Sequence, residues 1–343
     1  MRFMLVGTGF AEAHIRWIQE SGTAEVAVLA FQKNESRAQA LADRYGIREV
    51  TSRPFNYIKD GGIDAISIVT PPDTHEALIV AGLTRGLGVV TDKPIAQSSR
   101  VSAELAHKAA LMGGRVAVTF QWRQHPAFGA LRERIAFGAY GRVVHAELQF
   151  HHDYLAGPAT TWPWRHVSEE AGGGALGDQA VHLFDLLRWV APGSWTGTGA
   201  STTRAWDTRQ GPAYEVNCET DDIADVYLRR GEDGALARIF ASRVAIGRHE
   251  LSLCLTGSEG CVRIVLSPED GAGYLEETRL DTGLRDERFG AAPLNPYGEI
   301  VQKFADPDGY RGRAVADFDD GHAAQVFIEA ALRLAGNGAP APG

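Results

Sequence analysis

A lysine, an acid and a histidine are the groups in this chain that could move a proton on and off an alcohol. Lys93 sits in Thr91-Asp92-Lys93-Pro94, where an apolar run ends against a proline that stiffens the backbone. An ammonium fixed there can donate to a substrate hydroxyl and lower its pKa. Asp178 and His182 lie in the run Gly172-Gly173-Gly174-Ala175-Leu176-Gly177-Asp178-Gln179-Ala180-Val181-His182-Leu183-Phe184-Asp185. Four residues apart, they share a face if the run is helical, with Asp185 one turn further. A carboxylate beside an imidazole suits general acid–base work near neutral pH. The glycines ahead of it let backbone come close to a ligand. An amphipathic helix with a solvated polar face reads the same way and stays open. No third ligand completes a metal site, so no metal is expected.

A second group has the character of a phosphate site. Gly7-Thr8-Gly9, continued by Phe10 and Ala11, follows the first apolar run and opens the first helical segment. There, backbone N–H groups and the positive end of a helix can meet a pyrophosphate. Gly7 permits a tight turn, and Gly9 removes a Cβ from the path of the phosphates. The dinucleotide fingerprint asks for Gly or Ala three residues after Gly9, where Glu12 stands. Ala11 takes that place if the turn is one residue shorter; otherwise Glu12 faces the pyrophosphate and repels it. The second apolar run ends Leu29-Ala30-Phe31-Gln32-Lys33-Asn34, without the acid that holds the ribose 2′-hydroxyl of NAD. Lys33, Ser36 and Arg37 could receive a 2′-phosphate instead, which favours NADP over NAD. Solvated first-turn residues would look no different.

These groups need a scaffold. Apolar runs at 2–6, 26–30, 64–70, 88–91 and 115–119 alternate with helical segments at 11–21, 35–45, 75–85 and 98–112. Ala38, Leu41, Ala42 and Tyr45 form one such apolar stripe. The alternation predicts βαβ units and a doubly wound parallel sheet buried on both faces. Thr70, Pro71, His75, Asp92 and Lys93 then follow strand ends, at the carboxyl edge where open α/β sheets bind ligands. Beyond residue 140 the period becomes two: Val144, Ala146, Leu148 and Phe150 alternate with polar residues, as do Leu251, Leu253 and Leu255. Runs at 223–228, 236–241 and 261–266 complete an expected antiparallel sheet with one face to pack. A helix over 176–190 interrupts it, with Leu176, Ala180, Leu183, Leu187 and Val190 as its buried stripe, and a last helix runs from about 322 to 334. The division expected is a doubly wound dinucleotide-binding domain over 1–122, an α+β domain with an open, mainly antiparallel sheet over 123–335, and a disordered tail over 336–343.

Composition agrees. A single core stops growing at roughly 250–300 residues, so 343 residues point to two domains. Hydrophobic content of 44% and charged content of 22% exclude a disordered chain. The 39 glycines carry no G-X-Y period, which excludes collagen and leaves turns and close approaches to explain them. A net charge of −9 gives no reason to expect nucleic acid or an anionic membrane as partner. No run approaches the roughly 18 apolar residues of a membrane span. Cys218, Cys254 and Cys261 have neither CxxC nor metal-ligand spacing, so a reduced, cytoplasmic setting is expected.

Several pieces together resemble the Gfo/Idh/MocA (glucose–fructose oxidoreductase / inositol dehydrogenase-like) family of oxidoreductases. They are Gly7-Thr8-Gly9-Phe10, Thr70-Pro71 with His75, Asp92-Lys93-Pro94, Phe120-Gln121-Trp122-Arg123 with Pro126, the glycine run with Asp178, His182 and Asp185, and Asp320-Gly321 before the last helix. The resemblance spans nearly the whole chain. It implies a Rossmann domain followed by an α/β domain whose open sheet makes a homodimer or homotetramer. It also implies hydride transfer between a nicotinamide cofactor and a sugar, cyclitol or related alcohol. Lys93 then corresponds to the lysine of the family's Glu-Lys-Pro motif, with Asp92 in the glutamate's place. Asp178 and His182 match the acid and histidine of its catalytic set, and Trp122 and Arg123 fall where members line the nicotinamide end. Glu12, the missing acid after the second strand, Pro72 for asparagine and Gln121 for asparagine depart from the pattern. All four touch cofactor binding.

The chemistry expected is reversible oxidation of a secondary alcohol to a ketone. His182 takes the hydroxyl proton, Asp178 orients and charge-balances the imidazole, and Lys93 stabilises the developing alkoxide. The hydride passes to the nicotinamide. Substrate is expected against Trp162-Pro163-Trp164-Arg165, whose indoles can stack on sugar rings while Arg165 binds a carboxylate or phosphate. Loop packing would use the same tryptophans. Tyr154, His151 and His152 are further pocket candidates. The four departures keep two alternatives open: a non-redox elimination, isomerisation or cyclisation using Asp178 and His182, and a dinucleotide-binding regulatory protein.

Overall fold

The computed structural model describes residues 1–171, 173–292, 294–312 and 314–336; Gly172 and the tail from 337 lie outside the described residues. The chain forms two compact units, one of residues 1–121 and 295–325, the other of 122–294 and 326 onward.

Strands β1 (Arg2–Val6), β2 (Glu25–Ala30), β3 (Glu49–Thr51), β4 (Ala65–Ile68), β5 (Gly88–Thr91) and β6 (Val116–Val118) form the sheet of the first unit. They are parallel throughout, in the order β3-β2-β1-β4-β5-β6. Helices α1 (Ala11–Glu20), α2 (Glu35–Tyr45), α3 (Pro54–Asp60), α4 (His75–Thr84) and α5 (Ser99–Leu111) connect them. The strand order reverses between β1 and β4, so the loops after these strands flank the switch point at which doubly wound sheets hold ligands. Local signals set the boundaries: the Asn34 side chain accepts the Arg37 N–H at the start of α2, and Gly46 closes it in the left-handed region at φ 68°.

Residues 295–325 differ from expectation, which put them in the second domain. Helix α9 (Tyr297–Ala305) buries Tyr297, Ile300, Val301 and Phe304 in the core that holds Phe3, Leu5 and Ile15. The Tyr297 hydroxyl also reaches Ser67 Oγ at 2.6 Å and His14 Nδ1 at 2.9 Å. An apolar stripe shows that a helix will be buried, not which core receives it.

The second unit carries strands β7 (Val143–His151), β8 (Trp195–Thr203), β9 (Thr208–Gln210), β10 (Glu215–Asn217), β11 (Ile223–Arg230), β12 (Leu236–Ser242), β13 (Glu250–Gly257), β14 (Gly260–Leu266), β15 (Gly273–Arg279) and β16 (Gly283–Phe289). Eight of them form one open sheet, β16-β15-β14-β13-β7-β12-β11-β8, and β9 pairs with β10 separately. Only the β7–β12 contact is parallel in the large sheet. Leu148 of β7 stands level with Leu253 and Ile239, all three buried, so the period-two pattern marks the packed face. Helices α6 (Pro126–Ala136), α7 (Ser168–Ala171) and α8 (Val181–Val190) accompany the sheet, and α10 (Phe318–Leu334) spans the division between the units.

The helix expected over 176–190 is in two pieces, a π turn at Leu176–Ala180 and then α8. Its apolar stripe is buried as expected, but the polar face is not solvated: His182 is 5% exposed and Asp185 2%. Gly173 and Gly174 ahead of it, expected to admit a ligand, are closely packed against the chain itself. A Cβ on Gly174, at φ +54°, would lie 2.5 Å from the Asp221 carbonyl oxygen, and one on Gly173 would lie 2.8 Å from Ile328. They allow backbone and side chains of the same unit to close on the π turn.

Candidate active site

In the first unit the chain turns after β1 at Gly7, whose φ of +113° suits only glycine. A Cβ there would lie 2.9 Å from the carbonyl carbon of Val69, whereas one on Gly9 would meet nothing within 4 Å. Helix α1 begins at the buried Ala11, and no side chain caps its first amides. Ala11 therefore takes the close-packing place of the fingerprint. Glu12 is committed elsewhere: it accepts from Tyr45 Oη at 2.8 Å and pairs with Arg44 at 2.8 Å. The Tyr45 hydrogen bond holds its carboxyl below the ordinary value. Open space at Gly9 and uncapped amides beyond it fit a pyrophosphate. Arg37 reaches over from α2, its Nε donating to Thr8 O at 2.8 Å and its Nη2 to Gly9 O at 3.3 Å. Lys33 is exposed, and Phe10, half exposed, sits edge-on to His14 at 5.7 Å.

After β4, Thr70 and Pro71 lead through a 3₁₀ turn, Pro72–Thr74, into α4. His75 is buried, with Nε2 2.8 Å from the Thr70 carbonyl and Nδ1 3.3 Å from Thr91 Oγ1. Burial lowers its pKa. Its ring joins the ends of β4 and β5. Asp92 Oδ1 accepts from the Lys93 amide at 2.8 Å and from Thr119 Oγ1 at 3.0 Å. The Lys93–Pro94 peptide is cis, and the loop so held carries a half-buried Lys93.

In the second unit, Asp178 lies in the π turn with 18% of its side chain exposed. Its Oδ2 accepts from Arg165 Nη1 at 2.7 Å and from Tyr154 Oη. Burial, and after it the Asp178 charge, holds the Tyr154 phenol well above its ordinary pKa, so it remains a donor. The Arg165 guanidinium lies among three rings, 4.7 Å from Trp164, 5.7 Å from Tyr154 and 5.9 Å from Trp162. Its carbonyl accepts from Thr220 Oγ1 at 2.7 Å, and Arg209, paired with Asp222 in the interior, donates to the Leu155 carbonyl at 2.9 Å. Both stretches that meet Asp178 are thereby tied down. Arg165, the expected partner of a substrate carboxylate or phosphate, pairs its charge with Asp178. Trp162 is about half exposed, and His182 follows in the first turn of α8.

Trp122 and Arg123, which the resemblance places at the nicotinamide end, both make contacts within the second unit. Arg123 is buried and holds Asp185 with both sides of its guanidinium, Nε to Oδ2 at 2.8 Å and Nη2 to Oδ1. Trp122 is buried edge-on to Phe150, with ring centroids 6.0 Å apart. Spacing gives no hint of the ion pair, whose partners are 62 residues apart.

The family description "Oxidoreductase family, NAD-binding Rossmann fold" matches residues 1–120, and "GFO/IDH/MocA C-terminal domain" matches residues 128–263. Levoglucosan dehydrogenase of Pseudarthrobacter phenanthrenivorans is 25% identical over 286 residues, 78% of this chain and 72% of that protein. scyllo-Inositol 2-dehydrogenase (NAD(+)) of Bacillus subtilis is 27% identical over 230 residues, 67% of this chain and 63% of that protein. A solved levoglucosan dehydrogenase in complex with NADH and L-sorbose shares the fold, with a TM-score of 0.85 at 23% identity over 98% of this chain and 96% of that one. With an open glycine turn on one parallel sheet and a second, mainly antiparallel sheet, this chain belongs to the Gfo/Idh/MocA family of NAD-binding oxidoreductases.

Proposed function

We propose that the chain interconverts a secondary alcohol and a ketone on a neutral sugar or cyclitol ring, with Lys93, Asp178 and His182 handling the proton. The observation that carries this reading is the Asp178 corner. Arg165, the cation that would attract an acidic substrate, is paired with Asp178, while the Trp162 indole stays open beside it. An ionised acid and exposed aromatic faces suit a ring of hydroxyls. Two relatives are named for levoglucosan and scyllo-inositol, which supports the same substrate class.

Lys93 donates to the reacting hydroxyl and stabilises the alkoxide, and His182 accepts the proton. Arg165 pairs with Asp178 and Tyr154 donates to it, which holds its carboxylate in place to balance an imidazolium. Gly7, Thr8, Gly9, Phe10 and Ala11 hold the dinucleotide phosphates, Thr70 and Pro71 border it, and Asp92 and His75 fix the loops. The bound nicotinamide supplies the hydride acceptor or donor. Arg37 and Lys33, with no acid at the end of β2, support NADP(H) alongside NAD(H). We assign the protein to the cytoplasm and the open face of the eight-stranded sheet to a homodimer or homotetramer. Among the described residues, no helix is long and apolar enough to cross a membrane.

The non-redox alternative drew on four departures, and of these Glu12 is bound to Tyr45 and Arg44, which weakens its part in that reading. The test is a panel of inositols and anhydro sugars against uronates and sugar phosphates, with NAD⁺ and NADP⁺, followed by nicotinamide reduction. Turnover of neutral rings is expected. Turnover confined to the acids would overturn the assignment of Arg165, and reaction without either cofactor would overturn the redox reading.

A further inference from the structure

Behind Tyr154 lies a cluster that the chemistry above leaves unused. His152, just after β7, and His249, just ahead of β13, stack with ring centroids 4.5 Å apart and planes 20° from parallel. His249 Nε2 is 2.7 Å from Asp153 Oδ1, and its Nδ1 meets Glu269 Oε1. A neutral imidazole has one N–H, so carboxylates at both nitrogens are satisfied together only by the imidazolium. His152 is different. Its Nδ1 accepts the backbone N–H of Asp153 at 2.9 Å and of Tyr154 at 3.2 Å, which leaves its proton on Nε2, 3.7 Å from Glu269.

The donor atoms of His152, His249 and Glu269 all lie within 4.8 Å of one another, a composition that suits a divalent metal. The tautomer argues against one. The His152 nitrogen facing the group bears a hydrogen rather than a lone pair, and its other nitrogen is committed to two amides. The cluster is built round a proton.

What it holds is the stretch bearing Tyr154. His152 stands edge-on to the Tyr154 ring at 5.2 Å and accepts its amide, while Asp153 Oδ2 accepts from the Gly247 amide at 3.1 Å. Tyr154 in turn donates to Asp178. We infer that His249, as an imidazolium clamped between Asp153 and Glu269, is a positioning residue for Tyr154 and through it for the Asp178 carboxylate. The inference rests on the role given to Asp178 above. Three groups face His249: Asp153 from the loop after β7, Glu269 from the turn after β14, and the stacked His152. On its own stretch, Arg248 and Glu250 flank it and pair with each other at 3.1 Å. The Asp153 hydrogen bond, with the Glu269 charge behind it, raises His249 above its ordinary value, while burial and the His249 charge lower His152. The clamp is therefore complete below about pH 6.5, the ordinary imidazole value, and is lost as pH rises through the higher folded value of His249.

Trp162 stands 6.1 Å from the Tyr154 ring, so its emission reports on this segment without cofactor or substrate. The emission difference between wild type and Trp162→Phe should change sigmoidally as pH rises above about 6.5, the ordinary imidazole value. It should be flat in His249→Gln and fixed at the low-pH level in His249→Arg, which keeps a permanent charge. The ratio of wild-type kcat to that of His249→Gln should be about threefold at low pH, fitting partly exposed ion pairs, and approach unity as pH rises. Flat emission in the wild type, or a ratio that ignores pH, overturns the inference. So does saturable Zn²⁺ binding by calorimetry that His249→Gln abolishes. If the emission titrates as described but no alcohol is oxidised, the clamp stands and the functional reading falls.

Discussion

The cofactor turn and the Asp178 corner are built from different materials. The turn in the first unit is main chain: the φ of Gly7, the open side of Gly9 and the uncapped start of α1, all within Gly7 to Ala11. The corner in the second unit is side chain, assembled from Tyr154, Arg165 and Asp178, with His152 and His249 behind them. A main-chain site is harmed by adding atoms, because a Cβ either strains the backbone or fills the cradle. A side-chain site is harmed by removing them, because each lost partner leaves a buried charge exposed to a low dielectric. The two units should therefore fail in opposite ways.

The largest effect should come from taking a partner away. Arg123→Met leaves Asp185 ionised in the interior and should lower stability by about 3–5 kcal/mol, measured by denaturant unfolding. Adding Asp185→Leu should recover most of that loss. If the double variant stays as unstable as the single, packing at Arg123 matters more than its charge.

Next comes acid, and here the first unit holds an exception to its main-chain character. His14 is fully buried among Ser67 and Tyr297, and burial lowers its pKa to about 4. The unfolded chain takes up this proton near pH 6.5 and the folded chain does not, so stability is lost as pH falls from about 6.5 toward 4, by up to about 3 kcal/mol. His14→Gln should flatten that slope in thermal melts at successive pH values. An unchanged slope would assign the acid sensitivity to other groups.

The smaller effects come from added atoms. Gly7→Ala forces a Cβ against Val69 at φ +113° and should destabilise by about 2 kcal/mol. Gly9→Ala should leave the melting temperature unchanged and weaken NAD(H) binding about tenfold, since a Cβ there meets only the space given to phosphates. The pair separates strain from ligand exclusion. Equal melting temperatures for both variants would erase the contrast.

The difference in material also decides what could be read from the sequence. The glycine turn was legible because its cause is local, and strands such as β1 and β5 and helix α2 begin and end where periodicity and capping residues put them. Glu12 was ambiguous only until the position of Tyr45 was known. The second unit was legible in its period-two strands and in Asp178 and His182 as residue types, but not in its pairings. Nothing in spacing joins Arg123 to Asp185, or Arg165 to Asp178. Room for a ligand and close packing against Asp221 both need glycine at 174, so its identity does not separate them. Helix α9 has no counterpart in the segments expected from periodicity, and spacing does not show that its apolar residues join the core around Phe3.

The assignment of Lys93 meets its most direct test in the rate of nicotinamide reduction with a neutral cyclitol. Wild type and Lys93→Ala would be compared, with cofactor affinity measured in parallel. A fall of about 10²–10³-fold in kcat at unchanged cofactor affinity is the expected result, because Lys93 is asked to stabilise only the charge that develops on the reacting oxygen. Equal turnover by the two proteins would contradict it.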